Sequence, residues 1–139
     1  MMRLPWRAGA STGWEGPVYL SATRFTYQHV RHMPLVFWHG LRLRRAWPRI
    51  EGAIGVSIMA EFATRSTYTL SVWRSPEDLH RWVRCPDHAR LMRGYRPLLA
   101  SSAANGWLAE TFNLRTAWRE ALKRVTAGTA EAAANQSGR

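Results

Sequence analysis

Polar and apolar residues alternate along several stretches of this chain, with helical spacing between them. Over residues 18–28 (VYLSATRFTYQ), Tyr19, Ser21, Thr23, Phe25 and Tyr27 fall on one side and Val18, Leu20, Ala22, Arg24 and Thr26 on the other. This period of two predicts a strand. Residues 52–62 repeat it, with Ile54, Val56, Ile58, Ala60 and Phe62 opposite Ala53, Gly55, Ser57, Met59 and Glu61. Over 66–73, Thr67, Thr69, Ser71 and Trp73 alternate with Tyr68, Leu70 and Val72. One face of this third strand is aliphatic and aromatic; the other is small and hydroxylated until Trp73 closes it. Ala63 to Ser66 is short enough to be a hairpin loop between the second and third strands. A fourth strand is predicted over 106–112 (GWLAETF), after a connection of small residues over 100–104.

Helical spacing governs the rest. Over 33–47, with Pro34 near the start, Leu35, Val36, His39, Gly40, Leu43, Ala46 and Trp47 share about a third of the wheel. Gly40 within that arc suggests a close approach to the sheet, and Pro48 stops the helix. Ser75-Pro76-Glu77-Asp78 is a helix start: a capping hydroxyl, a proline at the first position and negative charge on the first turn. Leu79, Trp82 and Val83 continue it until Cys85-Pro86 interrupts the hydrogen bonding. A second run then puts His88, Leu91, Met92, Tyr95, Leu98 and Leu99 on one face. A short helix is predicted over 116–125 through Trp118, Leu122 and Val125.

The order is β-α-β-β-α-β, the ferredoxin-like arrangement of an α+β domain over 18–112. It implies an antiparallel four-stranded sheet with two helices on one face. The other face would be bare and partly apolar, which argues for a homodimer stacking sheet on sheet. A lone subunit, or a sheet with helices front and back, would undo that inference. Residues 1–17 read as an extended arm, 113–127 as the short helix and 128–139, rich in Ala, Gly, Ser, Asn and Gln, as a disordered tail.

The net charge of +11 invites a nucleic-acid partner. Against that, Lys123 is the only lysine, the arginines are spread over both helices and both ends, and no nucleic-acid-binding motif accompanies them. The expectation is a solvated basic surface and no nucleic acid. No apolar run approaches the ~20 residues of a membrane span. The single Cys85 permits no internal disulfide and no Cys-based zinc site. A cytoplasmic protein is expected.

The segment TLSVWRSPEDLHRWVRCPDHARLM resembles the strand–helix signature of the dimeric α+β barrel proteins, in particular the antibiotic biosynthesis monooxygenase-like domains. Trp73, Ser75, Trp82, Cys85 and His88 match it in order, GAIGVSIMAEF fits as the second strand, and spheroidene monooxygenase-like proteins are similar in flavour. The resemblance spans about residues 18–112. It implies a dimeric α+β barrel and a small-molecule oxygenase of secondary metabolism. In some of these proteins a pocket base deprotonates the substrate without flavin or metal, and the carbanion reduces O2 itself. The haem-degrading branch carries an iron-ligating His where Met92 stands here and an Asn near Thr23. Neither group is present, so that chemistry is not expected. The spheroidene monooxygenase-like proteins are associated with haem through another arrangement, which keeps haem open as a cofactor while none is favoured.

His88 is either a pocket base or ligand, or a core histidine bonded to nearby backbone. His39, in the apolar arc of the first helix, would face the same interior. Trp73 is a stacking wall for a planar substrate or a core residue; Tyr27, Tyr68 and Tyr95 can donate to a substrate carbonyl. Arg24, odd in a central strand, can bind a carboxylate or an enolate, or close a strand-end salt bridge. The expected catalytic set is therefore His88, His39 and Arg24, with Trp73, Tyr27, Tyr95, Met92 and Trp82 against a small hydrophobic substrate. His29 and His32 lack a carboxylate partner in sequence, and no metal site is expected. No phosphate loop, dinucleotide-binding glycine pattern or nucleophile elbow occurs. The rival readings are a haem-dependent oxygenase and a non-catalytic ligand-binding dimer.

Overall fold

The computed structural model describes the backbone of residues 2–137 and the side chains of residues 2–126. Its frame is an antiparallel sheet of four long strands, β3 (Val18–Tyr27), β4 (Ala53–Glu61), β5 (Ser66–Trp73) and β6 (Leu99–Ala109). They lie in the order β4-β5-β3-β6, which is the ferredoxin-like order. Two short strands, β1 (Met2–Arg3) and β2 (Arg7–Ala8), pair antiparallel with the outer edge of β4, so the sheet has six strands rather than four. The extended arm is thus tied to the sheet edge. Trp6 lies flat over Gly55, where a Cβ would collide with its ring, and stacks on Phe112 at 5.1 Å.

The fourth strand is longer and earlier than its apolar alternation predicts. Residues 100–104, expected as a connection, belong to β6 and run in register with β3, from Leu99 opposite Tyr27 to Ala109 opposite Val18. Small side chains hid the strand from a hydrophobic-pattern reading, because backbone pairing with β3 and not burial holds it there.

Helices α1 (Met33–Ala46), α2 (Pro76–Val83) and α3 (Pro86–Tyr95) lie on one face. The break expected at Cys85-Pro86 separates α2 from α3. Ser75 caps α2 by accepting from the Asp78 backbone N–H at 3.3 Å. Asp78 is buried and bonded to Arg74, Ser75 and Arg81, a knot that fixes α2 against the end of β5.

The other sheet face is not bare. Helix α4 (Leu114–Ser137) packs Ala117, Trp118, Ala121 and Val125 onto Val18, Leu20, Leu70 and Val72, and Trp118 donates to Ser57 Oγ at 3.0 Å. The helix expected over 116–125 is the part of α4 that makes this contact. The expectation of helices on one face only is therefore corrected, and the argument for a twin from an uncovered sheet falls with it. The backbone of residues 128–137, expected as a disordered tail, continues α4; their side chains, and residues 138–139, lie outside the described residues. No helix among the described residues is long and apolar enough to cross a membrane.

Candidate functional site

The site follows from the short side chains of two central strands. On β3 and β5, Ser21 stands opposite Ser71 and Thr23 opposite Thr69, and all four face α1, α2 and α3. Serine and threonine are too small to fill a helix–sheet gap that larger side chains would close. The result is a cavity of about 500 Å³ with a hydroxyl floor and an apolar roof. Two aromatics bound the floor. Tyr27 bonds Thr67 Oγ1 at 2.9 Å at one end. Trp73 donates its indole N–H to Ser71 Oγ at 2.9 Å at the other. Val36, Phe37, Gly40 and Leu43 of α1, Leu79 and Trp82 of α2, and His88, Leu91, Met92 and Tyr95 of α3 form the roof.

Five of the eight expected residues meet in this cavity: His88, Tyr27, Tyr95, Met92 and Trp82. His88 is half-buried, with its ring edge-on to Trp82 at 5.5 Å. Burial holds its pKa below the ordinary value of 6.5, against a backbone hydrogen bond to Val83 that acts the other way. The neutral imidazole carries one N–H and one acceptor nitrogen. Tyr27 is fully buried; burial, partly offset by the bond to Thr67, pushes its hydroxyl up to about 12. Burial and then the neighbouring Tyr27 push Tyr95 higher still. Both tyrosines are neutral at physiological pH and unable to act as bases; Tyr95 donates to the Val36 carbonyl at 3.5 Å.

The other three stand elsewhere. Trp73 does not line the cavity; it is completely buried at the end of the floor, edge-on to Trp47 at 5.4 Å. His39 does not line the cavity; its ring lies 5.5 Å from Trp38 and 6.0 Å from Tyr95. The inward stripe of α1 runs through residues 36, 37, 40, 43, 44 and 47, beside the arc drawn on the wheel, and Leu35 and Trp38 are more than half exposed. Arg24 belongs to the opposite sheet face, with its guanidinium 5.8 Å from the Tyr68 ring, so it cannot serve an anion in this cavity. The hydroxyl rows, the α1 residues Phe37 and Arg44, and Trp47 just beyond α1 were not among the expected site residues. Their signal was present in the alternating Ser and Thr of 21–23 and 67–71.

Among the described residues no cluster of three or more His, Cys, Asp or Glu is placed to hold a metal. His29 and His32 approach only as a pair, rings 5.5 Å apart. Were haem bound here, His88 would be the lining residue to hold its iron.

No family model matches the sequence, and no curated protein matches it. Solved structures do. SnoaB, a cofactor-independent oxygenase from Streptomyces nogalater, superposes with a TM-score of 0.52 at 16% identity, over 70% of this chain and 96% of that one. A candidate antibiotic biosynthesis monooxygenase from Nitrosomonas europaea gives 0.57 at 8% identity, over 73% and 96%. A candidate monooxygenase from Lactobacillus acidophilus gives 0.55 at 9% identity; the match covers 67% of this chain and about half, 47%, of that one. At these identities the likeness is one of fold. In fold, the chain stands with the antibiotic biosynthesis monooxygenase-like proteins.

Proposed function

We propose that the protein is a small-molecule oxygenase that binds a planar, hydrophobic metabolite between the hydroxyl floor and the aromatic roof. The observation that carries this is His88, a neutral base set in the wall of a cavity of about 500 Å³. That volume lies in the range of small-molecule sites. In this scheme the unprotonated ring nitrogen of His88 removes a proton from an activated C–H of the substrate. The carbanion passes an electron to O2, and the radical pair combines to a peroxide. His88 returns its proton as the peroxide loses water and leaves a carbonyl. Tyr27 and Tyr95 remain protonated and take no part as bases. The fold shared with a cofactor-independent oxygenase supports a route that draws its electrons from the substrate.

The test is oxygen uptake by the purified protein with an anthrone as probe. His88→Ala should lower the rate by about 10²–10⁴-fold, the range of a lost general base, with the fold intact by circular dichroism. Unchanged uptake in that variant would end the reading. A Soret band on the protein as purified, lost in His88→Ala, would establish the haem alternative instead.

A further inference from the structure

Three tyrosines line the cavity, and two have their hydroxyls committed, Tyr27 to Thr67 Oγ1 and Tyr95 to the Val36 carbonyl. The third, Tyr19, differs. Its hydroxyl forms no hydrogen bond among the described residues, and it is not sealed from solvent as the Arg44 Nε and the Trp47 indole N–H are. Alternation along β3 puts Tyr19 on the side of Ser21 and Thr23, facing the helices. It stands opposite Trp73, at the end of the floor away from Tyr27. From there it leans over β6, so that a Cβ on Gly106, itself a lining residue, would strike the Tyr19 hydroxyl. The missing side chain at 106 gives that hydroxyl its seat. Tyr19 packs with Trp47, Leu79 and Trp82, and His88 lies edge-on to Trp82 at 5.5 Å. Tyr27 and Tyr95 pack in a separate group with Met33 and Val36. The uncommitted hydroxyl therefore belongs to the His88 end of the cavity.

We infer that the Tyr19 hydroxyl is the donor that anchors a carbonyl oxygen of the ligand at the tryptophan end of the cavity. The inference rests on the cavity being the ligand site, as proposed above, and adds which end of the ligand carries oxygen and what holds it. A hydroxyl in apolar surroundings donates well to a carbonyl, and the contact strengthens as negative charge builds on that oxygen. In the oxygenase scheme the anchored carbonyl is conjugated to the carbon that His88 deprotonates. The C–H proton goes to the unprotonated ring nitrogen of His88, the electron pair moves into the enolate, and the enolate oxygen stays hydrogen-bonded to Tyr19. Arg24, expected in this role from sequence, is on the other side of the sheet; Tyr19 takes its place.

The probes are 9-fluorenone and fluorene, flat molecules matched in shape and differing in one carbonyl oxygen. Equilibrium dialysis against the purified protein gives the affinity for each. Tyr19→Phe should weaken fluorenone binding by about threefold to tenfold, the range of one neutral hydrogen bond, and leave fluorene unchanged. Gly106→Ala, whose methyl pushes the hydroxyl aside, should act in the same direction. Tyr27→Phe should leave the ratio of the two affinities as it is. In oxygen uptake with anthrone, Tyr19→Phe should lower kcat by about 10²-fold, as for a lost oxyanion donor, and shift KM far less. Circular dichroism checks that each variant is folded. Fluorenone affinity that survives Tyr19→Phe, or an equal loss for both probes, would overturn the anchor and leave the cavity as the ligand site. An unchanged kcat in that variant would overturn it too. Binding of neither probe by the unmodified protein would remove the cavity reading itself, and the anchor with it. Fluorenone binding that depends on Tyr19 in a protein inert toward anthrone would count against the oxygenase reading and uphold the anchor.

Discussion

His88 and Asp78 make the protein's stability depend on pH at two separate points. Burial lowers the His88 pKa below 6.5, so the unfolded chain takes up this proton more readily than the folded one. The associated stabilisation is complete above 6.5 and lost as pH falls through the lower folded value. At Asp78, burial pushes the carboxyl upward, but the bonds to Arg74 and Ser75 and the charges of Arg74 and Arg81 outweigh it. The group ends below its ordinary value, so its contribution holds above that value and disappears at more acid pH. The melting temperature should therefore fall in two stages on acidification. His88→Leu should remove the upper stage, which sets in as pH falls below 6.5, and leave the lower one. Asp78→Asn should remove the lower stage and cost about 1–3 kcal/mol at neutral pH, the range for a buried hydrogen-bonded group losing its partners. Thermal melts across pH check both. At this scale the sequence marked Ser75 as the cap and Asp78 on the first turn of α2, because both act through neighbours close in the chain. It could not place Arg24 or His39, whose surroundings depend on which side of an element faces which layer.

At the scale of elements, the strands and helices were legible wherever apolar spacing or a cap announced them, as in β3, β5 and α2. They were not where contact with another element did the work. β6 is held by its ladder with β3 although residues 100–104 carry no large side chain. The inward stripe of α1 was ambiguous because Phe37, Trp38 and Leu41 make the helix apolar on more than one side. Trp73 shows the difference between anchor and wall. It closes the β5 row, fully buried against Trp47 and bonded to Ser71, beyond the end of the hydroxyl floor. Trp73→Ala should thus lower stability by about 3–5 kcal/mol in denaturant melts, while the folded fraction keeps its affinity for a cavity ligand. The arm depends on a glycine in the same way. A Cβ at Gly55 would run into Trp6, so Gly55→Ala should lift the arm from β4 and speed tryptic cleavage after Arg3 and Arg7. Sites in the helices should be cleaved as before.

At the scale of the molecule, the sheet separates two halves with different tasks. The face toward α1, α2 and α3 is short and hydroxylated and leaves room for a ligand; the face toward α4 is aliphatic and closed. Had that second face been open, its apolar strip would have called for a second copy of the chain. Covered by α4, Trp6 and Phe112, it makes no such demand, and the cavity chemistry does not depend on what covers it. Ala121, 1% exposed at the centre of the contact, offers a way to reopen the face without shortening the chain. Ala121→Arg puts a long charged side chain where only a methyl fits, so α4 should undock and uncover Leu20, Leu70 and Val72. Such an exposed apolar surface is the kind that associates. Light scattering during gel filtration should then show the variant as larger species at concentrations where the unmodified chain shows none that depend on this face. Denaturant melts should show a loss of several kcal/mol from the broken core contacts, on the order of a buried polar or overpacked site. A variant with unchanged mass and unchanged stability would mean that α4 is not the cover. The sheet-on-sheet pairing that the bare strands suggested would then return as the explanation for their apolar face.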